Sequence, residues 1–364
     1  MANDDIKKKT ENAVEHRCPT CHSSISYNPK LDMWKCSYCS NTFTIEEINE
    51  YNNKKKDVDE YDGYVSYKCE SCGAEIIVDE QTSATFCVHC GNTAILKSKL
   101  VGKFNPAKII PFKTDKNDAI KAFKSLSKGR PLVPDAFLDE KNIEKIRGIY
   151  VPFWLYDIDV VGDVVMYGKK VHHIEGAYEK EVLVDRYEIT RGGNMKFESI
   201  PIDGSSRFDN DMMNTIEPYD YNELVPYQPA YLSGFYAEKY DIEGDKLYEE
   251  VAQRALNSAE DYFVAEARVY QDVKVKENLL TTKENKKEYV LLPVWMLNVK
   301  YKNKMYKFAM NGQTGECIGD IPLDKSKTIK YLIIIFAILL FVTMIIWYLN
   351  VQQFGPGVQY KWEK

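Results

Sequence analysis

The chain has 364 residues and a formal net charge of −6, from 48 Lys and Arg against 54 Asp and Glu; 45% of residues are apolar and 28% charged. That balance excludes a chain disordered throughout and a multi-span membrane protein, and the length corresponds to two or three domains of roughly 100–200 residues each. The mild acidity argues against a protein built to hold nucleic acid, because a phosphate-binding surface needs a local cationic excess.

In chain order, the first feature is a pair of cysteine quartets. Cys18, Cys21, Cys36 and Cys39 form C-x2-C-x14-C-x2-C, and Cys69, Cys72, Cys87 and Cys90 repeat it 51 residues later. The repeat extends beyond sulfur: Ile25 matches Ile76, and Asn41-Thr42 matches Asn92-Thr93. Each CxxC reads as a tight knuckle aiming two thiolates at one point, and two knuckles complete a tetrahedral shell around Zn²⁺. Residues between the knuckles suit short strands, so each quartet predicts a zinc ribbon. A quartet spans only 22 residues, well below the roughly 40 at which a chain buries enough apolar surface to fold unaided. A structural zinc contributes an apparent ~10–16 kcal/mol, so folding and metal binding become one event. Four thiolates close the shell, which makes the expected two ions structural rather than catalytic. Disulfides would need an exported domain, and MANDDIKKKT carries no apolar signal-peptide stretch. His22 and His89 lie beside knuckle cysteines and read as exposed neighbours of complete quartets. Cys317 reads as an inert, half-buried thiol near a hairpin.

Residues 51–60 are polar and charged and are expected to link the ribbons, placed at 14–50 and 64–98. Residues 1–100 hold 12 Lys and Arg and 16 Asp and Glu, a local charge of −4, and the runs Lys7–Lys9 and Lys54–Lys56 read as solvated segments. From 100 to 328 the texture predicts an antiparallel-sheet-rich α+β domain. Strands are expected at Ile149–Val151, Val160–Tyr167, Tyr289–Leu292 and Leu297–Tyr301. Thr114 or Asp115 caps a helix through Leu126, with Ala119, Ile120 and Phe123 on one face. A second helix follows Gly244, where Leu247, Val251, Ala255, Ala259 and Phe263 recur every four residues, widened by Ala252, Leu256 and Tyr262. Arg191–Asn194 reads as a turn by composition, and 311–316 (NGQTGE) as a hairpin turn. Val-Pro-Phe-Trp-Leu at 151–155 echoes Leu-Pro-Val-Trp-Met at 292–296, which suggests two related β-units in which each proline opens a strand; the Pro-x-Trp pairs are expected to serve packing. No P-loop, dinucleotide fingerprint, nucleophile elbow or H-E-x-x-H motif is present. His172 and His173, adjacent in a strand, point to opposite faces. No enzymatic step and no small-molecule substrate are expected.

Tyr331–Leu349 is nineteen residues without a charge, about 28 Å as a helix against a hydrocarbon layer of ~30 Å. A transmembrane helix is expected at 329–350. Lys325, Lys327 and Lys330 crowd its N-terminal edge and the next cation is Lys361, so the positive-inside rule places the bulk of the chain in the cytoplasm and 351–364 outside. That would leave a single-pass, tail-anchored protein.

The two C-x2-C-x14-C-x2-C units, the segments IIPFKTDKNDAIKAF, GIYVPFWLYD and LLPVWMLNVKY, and the apolar span together resemble the YdjG-type, TFIIB-type zinc-ribbon-containing proteins of Gram-positive bacteria. The resemblance covers most of the chain and is most specific at the eight cysteines, onto which the family's ribbon ligands carry. It implies membrane partners of PspA-like and SPFH-like proteins in envelope stress, and hence a recruiting or scaffolding role. Relatives labelled as primosomal helicase fragments share only the ribbons; this chain has no helicase motif. The alternative is a membrane-tethered zinc ribbon that binds nucleic acid.

Overall fold

The computed structural model describes residues 11–13, 16–52, 65–69, 75–78, 82–86, 93–95, 104–175, 180–208, 210–302 and 304–354. After β1 (Glu11–Ala13), the region of the first quartet forms a three-stranded antiparallel sheet of β2 (Ile25–Asn28), β3 (Met33–Cys36) and, just beyond Cys39, β4 (Thr42–Phe43). Period-two alternation puts Ile25 and Tyr27 on the buried face, opposite Cys36 and Trp34 in register. Thr44 and Glu47 then form a reciprocal capping box that starts α1 (Ile45–Asn52). Residues 51–52, expected in a linker, are therefore the end of this helix, and 53–60 lie outside the described residues. Around the second quartet, β5 (Val65–Cys69) and β6 (Glu75–Val78) pair antiparallel with β1 alongside, while β7 (Thr82–Phe86) and β8 (Thr93–Ile95) form another hairpin.

The body is α+β and dominated by one sheet. Its first half contains β9 (Lys108–Ile109), α2 (Lys116–Ser127), α3 (Glu140–Ile143), β10 (Arg147–Glu175) and β11 (Lys180–Asp203). After α4 (Asn210–Thr215) and β12 (Val225–Pro226), the second half contains β13 (Tyr236–Glu238), α5 (Tyr248–Glu266), β14 (Gln271–Asn278), β15 (Thr281–Tyr301) and β16 (Lys304–Asn311). β17 (Cys317–Gly319) and α6 (Lys325–Phe354) follow. The sheet runs β12-β9-β15-β10-β13-β7-β8, with β11 and β14 also on β10, β16 on β15 and β17 on β16. It is antiparallel except where β9 meets β15 and β13 meets β10.

Several sequence expectations change. Ile149–Val151 and Val160–Tyr167 belong to one 29-residue strand, and Tyr289–Leu292 and Leu297–Tyr301 to one of 21 residues. Arg191–Asn194 is strand, not turn: Gly192 and Gly193 face Asp163 and Gly162 in register, and a Cβ on Gly192 would collide with Asp163. Gly192 thus permits close backbone approach, while Gly193 has open space around it. α2 follows its pattern, with an Asp115–Asp118 capping box and Ala119 and Phe123 buried. In α5, Val251, Ala255, Ala259 and Phe263 are buried, but Tyr262 is 55% exposed. A four-residue repeat advances about 40° around a helix per step, so at Phe263 the buried direction has turned away from Tyr262. The 311–316 hairpin forms as read, with Gly315 at φ +84°.

The two Pro-x-Trp segments lie side by side. Val151 pairs with Leu292 across β10 and β15, and each proline sits one residue further along its own strand. Both are mid-strand, which corrects the expectation that each opens one. Pro152 falls where the neighbour of β10 changes from β13 to β11, and Pro293 where the neighbour of β15 changes from β9 to β16. In an extended strand a residue's N–H and C=O point the same way, so the donor each proline lacks would face this seam, where no ladder acceptor is in register. Each proline carbonyl accepts one glycine N–H, from Gly204 and Gly312 respectively, at 2.8 Å.

The bonding pattern then occurs twice. Asp241 and Ile242 both donate to Gly204 O, as Lys113 and Thr114 both donate to Gly312 O. Trp154 Nε1 donates to Ile242 O and Trp295 Nε1 to Thr114 Oγ1, each at 3.0 Å. Asp203 Oδ1 accepts the Ser205 N–H as Asn311 Oδ1 accepts the Gln313 N–H. Each half runs short strand, helix, long strand, returning strand, and the short strand of each half pairs with the long strand of the other.

The copies differ in tightness. A Cβ on Gly312 would lie 2.6 Å from Phe112, whose ring stacks on Phe235 at a centroid distance of 4.1 Å, whereas one on Gly204 meets nothing nearer than 3.1 Å. Gly312→Ala should therefore destabilise by about 1–3 kcal/mol and Gly204→Ala by clearly less, as measured by denaturant unfolding of the two variants.

Candidate metal centre

The first quartet converges. Cys18, Cys21, Cys36 and Cys39 place their sulfurs within 4.8 Å of one another, with Cys18–Cys39 at 3.6 Å and Cys21–Cys36 at 3.5 Å. All four are free thiols. A tetrahedral ion with bonds of about 2.3 Å has sulfur–sulfur edges of about 3.8 Å, so the cluster is close to ligand spacing. The two knuckles share one geometry. Cys18 N donates to Ser23 O and Cys36 N to Asn41 O, and the residue after each second cysteine, His22 or Ser40, is left-handed at φ 60° and 61°. The Tyr38 and Cys39 N–H groups point at Cys36 Sγ from 3.4 Å, which favours the thiolate.

The electrostatics of the cluster call for a cation. The Ser23 N–H draws Cys21 down to about 6. At Cys39 the Asn41 N–H acts in the same direction, but desolvation and the three neighbouring sulfurs outweigh it and push the thiol up to about 12. Four thiols this close cannot all ionise together unless positive charge lies among them. These four residues fit a single metal ion. Bound there, it would lock the two knuckles together and keep all four sulfurs ionised.

His22 is no ligand here: its Nδ1 lies 2.7 Å from the Tyr51 hydroxyl on α1. Of the second quartet, Cys69 ends β5, while Cys72, Cys87, Cys90 and also His89 lie outside the described residues. Cys317 is half-buried on β17, and burial raises its thiol. His172 reaches Asp185 across the hairpin at 3.4 Å.

Sequence reading did not reveal how the ribbon is mounted. Trp34 Nε1 donates to Ala230 O at 2.8 Å, and Tyr27, Trp34 and Tyr231 form an aromatic trio with centroids 5.0–5.6 Å apart. Tyr27 N donates to Ser233 O, and Lys30 reaches Asp115 and Asp118 on the α2 cap. The ribbon's buried face, which carries Tyr27, Trp34 and Cys36, is thus part of the body's core. The only sequence signal for this was Trp34 itself, too large to be enclosed by a 22-residue unit. A groove of about 860 Å³ runs between ribbon and body, lined by Tyr27, Asp115, Lys116, Glu144, Arg147 and Trp295. Its cations are committed to structure: Lys116 and Arg147 both donate to Glu144 O, and Lys145, which also lines it, donates to Asn142 Oδ1.

The chain is 33% identical over 314 residues to the uncharacterized protein YdjG of Bacillus subtilis (strain 168), an alignment covering 86% of this chain and 92% of that protein. It belongs to the YdjG family. No family model matches the chain, and no solved structure does. The YdjG-family fold thus rests here on the geometry above.

Removing the metal with a strong chelator should loosen the ribbon and expose Trp34, now 1% accessible. The expected readout is a red shift in tryptophan emission that Trp34→Phe abolishes.

Proposed function

We propose that this YdjG-family protein is a membrane-anchored cytoplasmic scaffold whose two zinc ribbons and β-rich body recruit protein partners to the membrane. The PspA-like and SPFH-like proteins of envelope stress are the proposed partners. The observation that carries this reading is a ribbon fused through its aromatic face to a body that leads directly into a bare apolar helix. The most apolar 18-residue stretch within Lys325–Asn350 has a mean hydropathy of 2.9, and the body buries none of it. At 1.5 Å per residue its 26 residues extend about 39 Å, enough to cross the ~30 Å hydrocarbon layer with some tilt. With Lys325, Lys327 and Lys330 at its N-terminal edge, the body lies on the cytoplasmic side, where thiolates stay reduced for metal.

Zinc is the ion proposed, because four soft thiolates in tetrahedral spacing suit it best. A second ion in Cys69, Cys72, Cys87 and Cys90 is supported by the first knuckles. The positions 51 residues after left-handed His22 and Ser40 are Gly73 and Gly91, and glycine is the residue that adopts this conformation without strain. Elemental analysis of the purified chain should give about two zinc ions per molecule and about one after Cys36→Ser, with no cystine formed in either quartet.

Closed coordination suits display rather than chemistry. Tyr38, at the tip of the second knuckle, is 81% exposed, and Leu31 at the β2–β3 turn is also exposed; an aromatic on a rigid turn is a ready contact residue. Affinity capture of the full chain from native membranes should recover a PspA-like or SPFH-like protein, and Tyr38→Ala combined with Leu31→Ser should reduce that recovery. Capture of nucleic acid alone would favour the tethered nucleic-acid reading, and no partner in any growth condition would contradict the scaffold.

A further inference from the structure

The start of α6 is fastened to the body. Asp324 caps the helix through the Ser326 and Lys327 N–H groups, and its own N–H donates to Leu132 O at 2.8 Å. Lys327 Nζ donates to Val133 O and pairs with Asp135, both at 2.8 Å. The β15–β16 hairpin tip lies in the same place. Asp324 is held below the usual carboxylate range by the Ser326 N–H first, with the charges of Lys302 and Lys327 adding to it. The Phe137 and Tyr306 rings join the same loop to β16, at 5.7 Å.

This staple fixes the height of the hairpin above the membrane. Asp324 precedes Tyr331 by seven residues, about 10 Å along the helix. The headgroup layer on each side of the hydrocarbon is roughly 5–8 Å thick, and a lysine side chain reaches several ångströms further. Lys302 and Lys304 are exposed at this level and Lys325 and Lys330 at or below it, with Met305, Leu323 and Ile329 exposed among them. The acidic groups facing this set are Asp135, engaged by Lys327, and Asp324, which faces Lys302. Asp320 is farther away, bonded to Lys307 O further up β16.

Resting on the reading of α6 as a membrane span, we propose that the β15–β16 tip and the helix base form one basic collar that binds anionic lipid headgroups of the cytoplasmic leaflet and seats the body against the membrane. Cationic side chains match phosphodiester charge, and the exposed aliphatic side chains among them match the acyl boundary. Each lysine at an anionic surface is worth about a five-fold factor in binding, so Lys302 and Lys304 together contribute about 30-fold to the seated state. Tyr301 and Tyr306, whose rings lie under Lys302 and Lys304 at 5.2 and 5.3 Å, hold these ammonium groups at the tip.

The test is amide hydrogen exchange on the full chain in nanodiscs of phosphatidylcholine alone or mixed with phosphatidylglycerol. The β15–β16 tip should exchange more slowly in the anionic discs. Lys302→Gln with Lys304→Gln should remove that difference, as should about 0.5 M salt, where the screening length falls to roughly 4 Å. Equal exchange in both lipids, with the chain inserted in both, would overturn the collar. A chain that stays soluble without lipid or detergent would instead overturn the membrane-span reading. Protection that appears only when a captured protein is added would assign the collar to an acidic protein partner and reject lipid.

Discussion

Four sulfur atoms held within 4.8 Å impose the strictest constraint in this molecule. Thiolates repel, and protonated thiols make poor structural cross-links, so the arrangement suits a positive charge at its centre. The knuckle turns, the left-handed His22 and Ser40, and the N–H groups aimed at Cys36 all serve that convergence. Its consequence reaches beyond the ribbon. With the knuckles locked, β2 and β3 present Tyr27 and Trp34 as a rigid face, and the body uses that face as part of its own core.

The body solves a different problem. Two long strands need partners along their full lengths, and each exchanges partner at a proline that has no donor to waste. The halves interlock because each lends its short strand, β9 or β13, to the other's long strand. Tryptophan closes both junctions, Trp154 on Ile242 and Trp295 on Thr114. An interlocked pair cannot separate by sliding one half away, which gives a stiff platform between the ribbon and α6. In the proposed scaffold role, such stiffness would hold docking surfaces at a set distance from a membrane.

Much of this was legible in the sequence where local chemistry decides structure. The spacing of Cys18, Cys21, Cys36 and Cys39 revealed their convergence, the Asp115 cap and the four-residue repeat of α5 revealed two helices, and Asn-Gly at 311–312 revealed a hairpin. The Pro-x-Trp echo showed that 151–155 and 292–296 share a design. It did not show that the two segments pair with one another, because strand partnership is set by contacts 141 residues apart. The glycines at 192 and 193 were misread for a related reason: both lie within a strand, and Gly192 permits close approach to Gly162 and Asp163 on the neighbouring strand, whereas composition alone reports only flexibility. The mounting of the ribbon was hidden too, since Ala230 and Ser233 contribute backbone oxygens, and backbone atoms leave no mark in a residue pattern.

The account rests on sulfur-only coordination that turns the first ribbon into a fixed part of the body. X-ray absorption at the zinc edge of the purified full-length chain tests this most directly. The predicted spectrum is four sulfur scatterers at about 2.3 Å and no lighter ligand. A first shell containing nitrogen or oxygen, or no bound zinc at all, would contradict it.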